Sequence, residues 1–333
     1  MSENSTLTGI NRAFKQRGGP AMRNARKSIL QNFKDESNCS QALRYFSKVT
    51  LRNALPVFPA LISMACEAVG GDTEKTTPFG EAIVLITAAA DLHDDVIDQS
   101  FEKGPKQTVL GKFGTDVAIL AGDILLVEGL RKFYEAAESI PEQQAREIAR
   151  LISEAVFEIC SAEALERQFH KKSSITPDEY QEVIRRKAVV PEISMKIGAI
   201  LGNGNAKDVK SLGQFGRMYG INSGIIEEFI DLLDIQELKN RLKNECLPLP
   251  ILYAIENPQI KANLFPLLSP ILDECGHKKI VEIVLESSQM KMIYNILTLN
   301  AKNEQTRLVE TIKGKIGEEL QSLLLTPLKS IEV

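Results

Sequence analysis

Residues 81–100, EAIVLITAAADLHDDVIDQS, carry Asp91, Asp94, Asp95 and Asp98 at i, i+3, i+4 and i+7. Far downstream, GIIEEFIDLLDIQE carries Glu227, Glu228, Asp231 and Asp234 at i, i+1, i+4 and i+7. On a helix each spacing gathers the acids on one face and leaves Ala, Ile, Leu and Val to the others. Carboxylates so placed repel one another and raise one another's pKa where water is scarce. A solvated helix face accounts for one such ladder as well as a metal does, but two ladders, each inside an apolar helix, favour metal. The cheapest counter-charge is Mg²⁺, which takes carboxylate and water oxygens and bridges to phosphorylated ligands. If the two ladders face each other across a helix bundle, they line a mouth over an apolar cavity. Two or three Mg²⁺ ions there would neutralise a diphosphate as its ester C–O bond breaks. An allylic diphosphate can leave by that route because the cation left behind is delocalised.

The elements that must position these acids all read with helical period, and no convincing alternating strand is found. Helices are expected over roughly 8–34, 51–70, 76–99, 114–138, 141–171, 177–203, 206–238, 247–256, 260–275, 277–300 and 304–325. Gly70-Gly71, Pro141, Gly202 with Gly204, and Pro248 with Pro250 punctuate them. Thr176-Pro177-Asp178-Glu179 is an N-terminal capping box. Pro191 cannot donate to the carbonyl of Lys187, so a bend is expected beside that lysine. The fold class is all-α, a bundle of ten or more helices around a central apolar cavity. No linker, repeat or low-complexity block interrupts the 333 residues, so one domain over 1–333 is expected.

Composition narrows the function. Hydrophobic residues at 44% suffice for a sizeable core, and a net charge of −4 with a pI near 5.7 argues against nucleic acid as a partner. Cys39, Cys66, Cys160, Cys246 and Cys275 form no CxxC pair and read as buried free thiols in a reducing, cytoplasmic setting. No apolar run is long enough for a membrane span, and the basic N-terminal stretch reads as a solvated first helix. The three histidines, His93, His170 and His277, have no zinc-ligand spacing, and His93 is expected to pack or hydrogen-bond. GNGNAKD (202–208) reads as a helix C-cap and turn, not a phosphate loop.

CEAVGGD (66–72), LHDDVID (92–98), KFGTDVAILAGDILL (112–126), the ITPDEY…K segment (175–187) and YGINSGIIEEFID (219–231) occur in an order that resembles the trans-prenyl diphosphate synthases, the all-α polyprenyl synthetase family. The resemblance covers roughly residues 50–260. It implies that Asp94, Asp95 and Asp98 form the first aspartate-rich motif, and that Glu227, Glu228 and Asp231 form the second, with Glu at two Asp positions. These six are the implied metal ligands, for Mg²⁺. Lys187 matches the lysine that contacts the allylic diphosphate. Ala89 and Ala90 match positions where bulky aromatics limit product length, so small residues here imply a product of about C20 or longer.

The sequence departs from the family where isopentenyl diphosphate should bind. Leu55 and Pro56 replace the Lys and Arg of the family's Gly-Lys-Arg segment, and Thr87 replaces an upstream His. Glu102-Lys103 replaces an Arg pair, Gly224 replaces the Gln before the second motif, and Glu245-Cys246 falls where the family has Gly-Lys. Lys48, Arg52, Lys103, Lys106, Arg217, Lys239, Arg241 and Lys243 are candidates to restore the lost charge. Three readings follow: a prenyltransferase joining an allylic diphosphate to isopentenyl diphosphate, a related enzyme or terpene cyclase using another acceptor, or a non-catalytic subunit of a heteromeric synthase. The resemblance also implies a homodimer.

Overall fold

The computed structural model describes residues 3–170, 175–312 and 314–325. They form an all-α chain, as the helical periodicity requires: α1 (Glu3–Asn32), α2 (Asn38–Val49), α3 (Val57–Ala68), α4 (Thr76–Ile97), α5 (Val109–Phe113), α6 (Thr115–Ala137), α7 (Glu142–His170), α8 (Pro177–Lys187), α9 (Val189–Leu201), α10 (Ala206–Leu233), α11 (Ile235–Asn244), α12 (Leu249–Ala254), α13 (Pro258–Leu264), α14 (Glu274–Leu285), α15 (Ser288–Thr311) and α16 (Lys315–Leu325). A 3-10 turn at Thr73–Lys75 leads into α4. Among the described residues the one sheet is a hairpin of two-residue strands, β1 (Glu102–Lys103) and β2 (Lys106–Gln107), antiparallel with Lys103 opposite Lys106.

The chain groups into two compact units, one holding the residues up to Ile152 with Ile193–Gly213, the other Ser153–Glu192 with the residues from Gln214 onward. In the first unit α4 packs on α1, α3 and α6. From Phe79 to Ile86 every residue of α4 is buried, followed by Ala88, Ala89 and Leu92. A helix apolar on all faces has to run inside the core, and each Leu or Ile so buried contributes roughly 1.5–3 kcal/mol. Close approach needs small residues: an added Cβ on Gly80 would collide with Ala21 and Pro59, and one on Gly129 with Ile86. The polar ladder therefore emerges only at the C-terminal end of a buried helix. There the last carbonyls carry negative partial charge and make carboxylates still less comfortable.

In the second unit α8 begins at the expected capping box, with Thr176 Oγ1 accepting from the Glu179 amide and Glu179 accepting from the Thr176 amide. It stops at Lys187, and Ala188 separates it from α9, because Pro191 removes the donor that would continue the ladder. The short α12 is buried at every position and packs against α8, α14 and α15.

Several expected boundaries differ. Helix α2 was not foreseen; Ser37 starts it by accepting from the Ser40 amide. The helix expected from residue 51 begins only at Val57, since Pro56 lacks an N–H and restricts Leu55. The expected helix 206–238 breaks at Asp234, whose carboxylate accepts from the amides of Gln236 and Glu237 and starts α11. Pro266 and Pro270 end α13 early, and the break at Glu286–Ser287 divides the expected 277–300 helix into α14 and α15. The expected end of α7 at residue 171 lies outside the described residues. Cys66 and Cys246 are buried, but Cys160 and Cys275 are exposed and Cys39 is intermediate, so the thiols are not uniformly core residues. Among the described residues no helix is long and apolar enough to cross a membrane.

Candidate active site

Both ladders are helical and both are answered by a cation, but not the one expected. On α4, Lys103 from β1 reaches between two acids of the first ladder, its Nζ 2.7 Å from Asp91 Oδ1 and 2.8 Å from Asp95 Oδ1. Asp95 is buried, and that desolvation, opposed by Lys103 and reinforced by Asp91 and Asp94, pushes its carboxyl up to about 6. Burial works against the Lys103 ammonium, yet Asp91 and Asp95 outweigh it and hold its pKa above the ordinary lysine value. Asp94 and Asp98 lie on the same face, and the Asp98 amide closes the helix by donating to the Asp94 carbonyl. His93 does not point to a metal: its Nε2 lies 3.3 Å from both the Ile119 carbonyl and Asp123 Oδ1, with Gly122 making room for the ring.

Among the described residues no group of three or more His, Cys, Asp or Glu side chains is already drawn together as a metal centre. The donor chemistry of the first ladder still fits Mg²⁺. Asp94, Asp95 and Asp98 offer hard carboxylate oxygens on one helical face, at i, i+1 and i+4.

The other first-unit candidates scatter. Lys48, exposed in the last turn of α2, lines a groove of about 460 Å³ with Tyr45, Asn53, Lys106 and Lys112. Arg52 is exposed in the following loop and is not among the residues lining that groove. Thr87 turns its hydroxyl back on its own helix, donating to the Ile83 and Val84 carbonyls. Pro56 caps α3, its carbonyl close against Gly18 of α1. Ala89 is 1% exposed within a packed cluster that includes Ala25, Leu43, Leu85 and Leu125, whereas its neighbour Ala90 is exposed.

The second ladder is organised by Arg241 of α11, which is 5% exposed. Its Nη2 donates to Glu228 Oε2 at 3.0 Å and to the Tyr180 hydroxyl at 2.6 Å. Its Nη1 lies 3.0 Å from Asp231 Oδ2, and its Nε donates to the Cys246 carbonyl at 2.8 Å. Glu228 Oε2 also accepts from the Leu249 amide at 2.9 Å. Lys187 sits at the end of α8 with its Nζ 2.8 Å from Glu163 Oε1 and 2.7 Å from Glu166 Oε2, and Glu166 Oε1 accepts from Tyr180 at 2.8 Å. Glu227 reaches solvent, but surrounding protein desolvates its carboxyl and Glu228 adds repulsion, so its pKa rises against the pull of Lys187. Desolvation likewise pushes Asp231 up to about 7 despite Arg241. Asp234 belongs to the cap of α11, not to the ladder. Gly224, where the family resemblance expects Gln, makes room for the Ile184 side chain.

Sequence reasoning placed Arg241 among the candidate cations for a second diphosphate; the fold buries it against Glu228. Arg217 is likewise committed, paired with Glu158 and Glu192. Glu163, Glu166 and Tyr180 were not singled out at all. Their signal was faint, a Glu pair at i, i+3 in SAEALERQ and a Tyr in the first turn of a capped helix.

Residues 37–283 match the family model described as polyprenyl synthetase. The chain is 29% identical over 180 residues to the short chain isoprenyl diphosphate synthase of Methanothermobacter thermautotrophicus, which covers 54% of this chain and 54% of that protein. It is 27% identical over 251 residues to heptaprenyl diphosphate synthase component 2 of Bacillus subtilis, covering 71% and 69%. The chain spans about half the length of the archaeal relatives it matches. The geranylgeranyl pyrophosphate synthetase of Pyrococcus horikoshii shares the fold with a TM-score of 0.84 at 24% identity, over 97% of this chain and 99% of that one. With about three quarters of its length inside that family match, the chain belongs to the polyprenyl synthetase family.

Proposed function

We propose that the protein is a Mg²⁺-dependent trans-prenyltransferase that ionises an allylic prenyl diphosphate and joins it to isopentenyl diphosphate, giving a product of about C20 or longer. The observation that carries this reading is the Asp94–Asp95–Asp98 set, projecting from the end of buried α4 in a polyprenyl synthetase chain. The relatives named isoprenyl and heptaprenyl diphosphate synthase support the substrate class.

Mg²⁺, when bound, supplies positive charge to the leaving diphosphate. Asp94, Asp95 and Asp98 would hold it, and Lys187 would donate hydrogen bonds to a diphosphate. The C–O bond breaks with its electron pair on the diphosphate oxygen. The acceptor double bond then attacks the allyl cation, and the proton lost from the new carbocation passes to the released diphosphate. Lys48, Lys106 and Lys112 around their groove, with Arg52 outside it, are the cations for the second diphosphate, whereas Lys103 is committed to Asp91 and Asp95. Ala90, exposed one residue before the ladder, leaves room for a long chain.

A homodimer fits an apolar stripe on α6, where Leu120, Val127 and Tyr134 are spaced seven apart and 51%, 66% and 69% exposed. The test of function is incubation with Mg²⁺ and C5 to C20 allylic diphosphates, with and without isopentenyl diphosphate, followed by mass analysis. Elongated diphosphates are expected. Hydrocarbon or alcohol formed without isopentenyl diphosphate would replace elongation by ionisation alone. Inactivity relieved only by a second subunit would replace it by a partner role.

A further inference from the structure

Glu228 and Asp231 of the second ladder do not fit a divalent cation. A metal ligand needs a carboxylate oxygen free to approach within about 2.1 Å of Mg²⁺. Glu228 is 6% exposed, and its Oε2 already accepts from Arg241 Nη2 and the Leu249 amide, while its Oε1 faces the Tyr180 hydroxyl at 3.1 Å. Asp231 Oδ2 is held by Arg241 Nη1. The guanidinium has no freedom to swing aside, because its Nε is fixed on the Cys246 carbonyl and its plane is buried beside the Tyr180 ring. A dication drawn to Glu228 would have to displace a buried guanidinium or sit against it.

We propose that Arg241 replaces a divalent cation at the second ladder, so that Glu228 and Asp231 bind guanidinium and no metal, and the protein's divalent ions are held by the first ladder alone. The statement about the first ladder rests on the prenyltransferase reading above; the statement about the second does not. α11 is what makes this work. Asp234 ends α10 and turns the chain so that Arg241, thirteen residues beyond Glu228, comes back onto it. The same guanidinium reaches Lys187 through Tyr180 and Glu166, since Tyr180 accepts from Arg241 and donates to Glu166, which pairs with Lys187. Arg241 is thus a positioning residue for Lys187. The fixed charge that a metal would supply here is covalently part of the chain and is present before any substrate arrives.

The test counts Mn²⁺ bound to the full chain by electron paramagnetic resonance, with Mn²⁺ alone and with inorganic pyrophosphate added. Asp231→Asn should leave the count unchanged, and Asp94→Asn with Asp98→Asn should lower it. A loss of one or more Mn²⁺ per chain in Asp231→Asn would overturn the proposal. Arg241→Gln should gain one Mn²⁺ in the presence of pyrophosphate, and Asp231→Asn in that background should remove the gain. No gain in an Arg241→Gln protein with native circular dichroism would also overturn it. Should Arg241→Gln fail to fold, the Asp231→Asn comparison decides alone. Absence of Mn²⁺ binding by the unaltered chain in either condition would remove the metal reading of the first ladder and leave the second-ladder assignment standing.

Discussion

Replacing Arg241 by Met isolates the energetic weight of the second ladder's cation. Methionine retains much of the aliphatic stem, so little packing is lost. What disappears is the charge that compensates Glu228, which keeps the Leu249 amide as a donor while the single Tyr180 hydroxyl proton goes to Glu166. Breaking a buried ion pair by removing one partner costs roughly 3–5 kcal/mol, because the remaining charge has neither water nor counter-ion. The Asp231 side chain is 25% exposed, and solvent screening limits its share to about 1 kcal/mol or less. The expected loss is therefore roughly 3–5 kcal/mol, dominated by Glu228. The chain has no tryptophan, so unfolding is followed by circular dichroism of its helices in a denaturant titration. Arg241→Met with Glu228→Met removes both charges and should recover most of the loss, a coupling of at least about 2 kcal/mol in the double-mutant cycle. A single-variant loss under about 1 kcal/mol, or no recovery in the double variant, would refute the reasoning.

Three further outcomes are expected. Asp94→Ala with Asp98→Ala should abolish diphosphate release from allylic substrates while leaving the helical circular dichroism intact; full residual turnover would refute the assignment of the first ladder. Ala89→Phe should destabilise by roughly 1–3 kcal/mol through overpacking, whereas Ala90→Phe should shorten the product, read by mass analysis. Glu128 of α6 is buried, but hydrogen bonds from Arg131 and Ser28, with the Arg131 charge and Asn32, outweigh its desolvation and hold its pKa below 4.5. A carboxyl lowered on folding stabilises above its unfolded pKa and loses that contribution as pH falls through the folded one. Glu128→Gln should thus cost roughly 1–3 kcal/mol near neutral pH, with the difference from the unaltered chain shrinking in acid below about 4.5.

Much of the site was legible because it is local. Carboxylates at i, i+1 and i+4 share a face wherever a helix forms, and the capping box at Thr176 and the proline at 191 state where α8 starts and stops. For the same reason a bend was expected beside Lys187, where the structure divides the expected 177–203 helix into α8 and α9. Besides those set by prolines, the boundaries that went astray include two where a polar side chain caps a helix. Asp234 reads as one more acid in a ladder until its carboxylate is seen to accept two backbone amides. Ser37 likewise starts α2, an amphipathic helix that buries Ala42, Leu43 and Phe46 and whose cap went unread.

The partners of the acids were illegible because they come from elsewhere in the chain. Nothing in the spacing of Glu102-Lys103 says that a two-residue hairpin will carry Lys103 onto Asp91 and Asp95. An arginine on an amphipathic helix is ordinarily a surface residue, and only the packing of α11 against α8 and α10 makes Arg241 a buried counter-ion. Periodicity within this sequence thus determined the helices and the two acidic faces, since both follow from residues within one or two turns of each other. Which cation neutralises each face, and whether a carboxylate is left open to a metal, was decided by tertiary contacts. Charge compensation depends on distance through space, and that distance is set by how the helices pack and not by position along the chain.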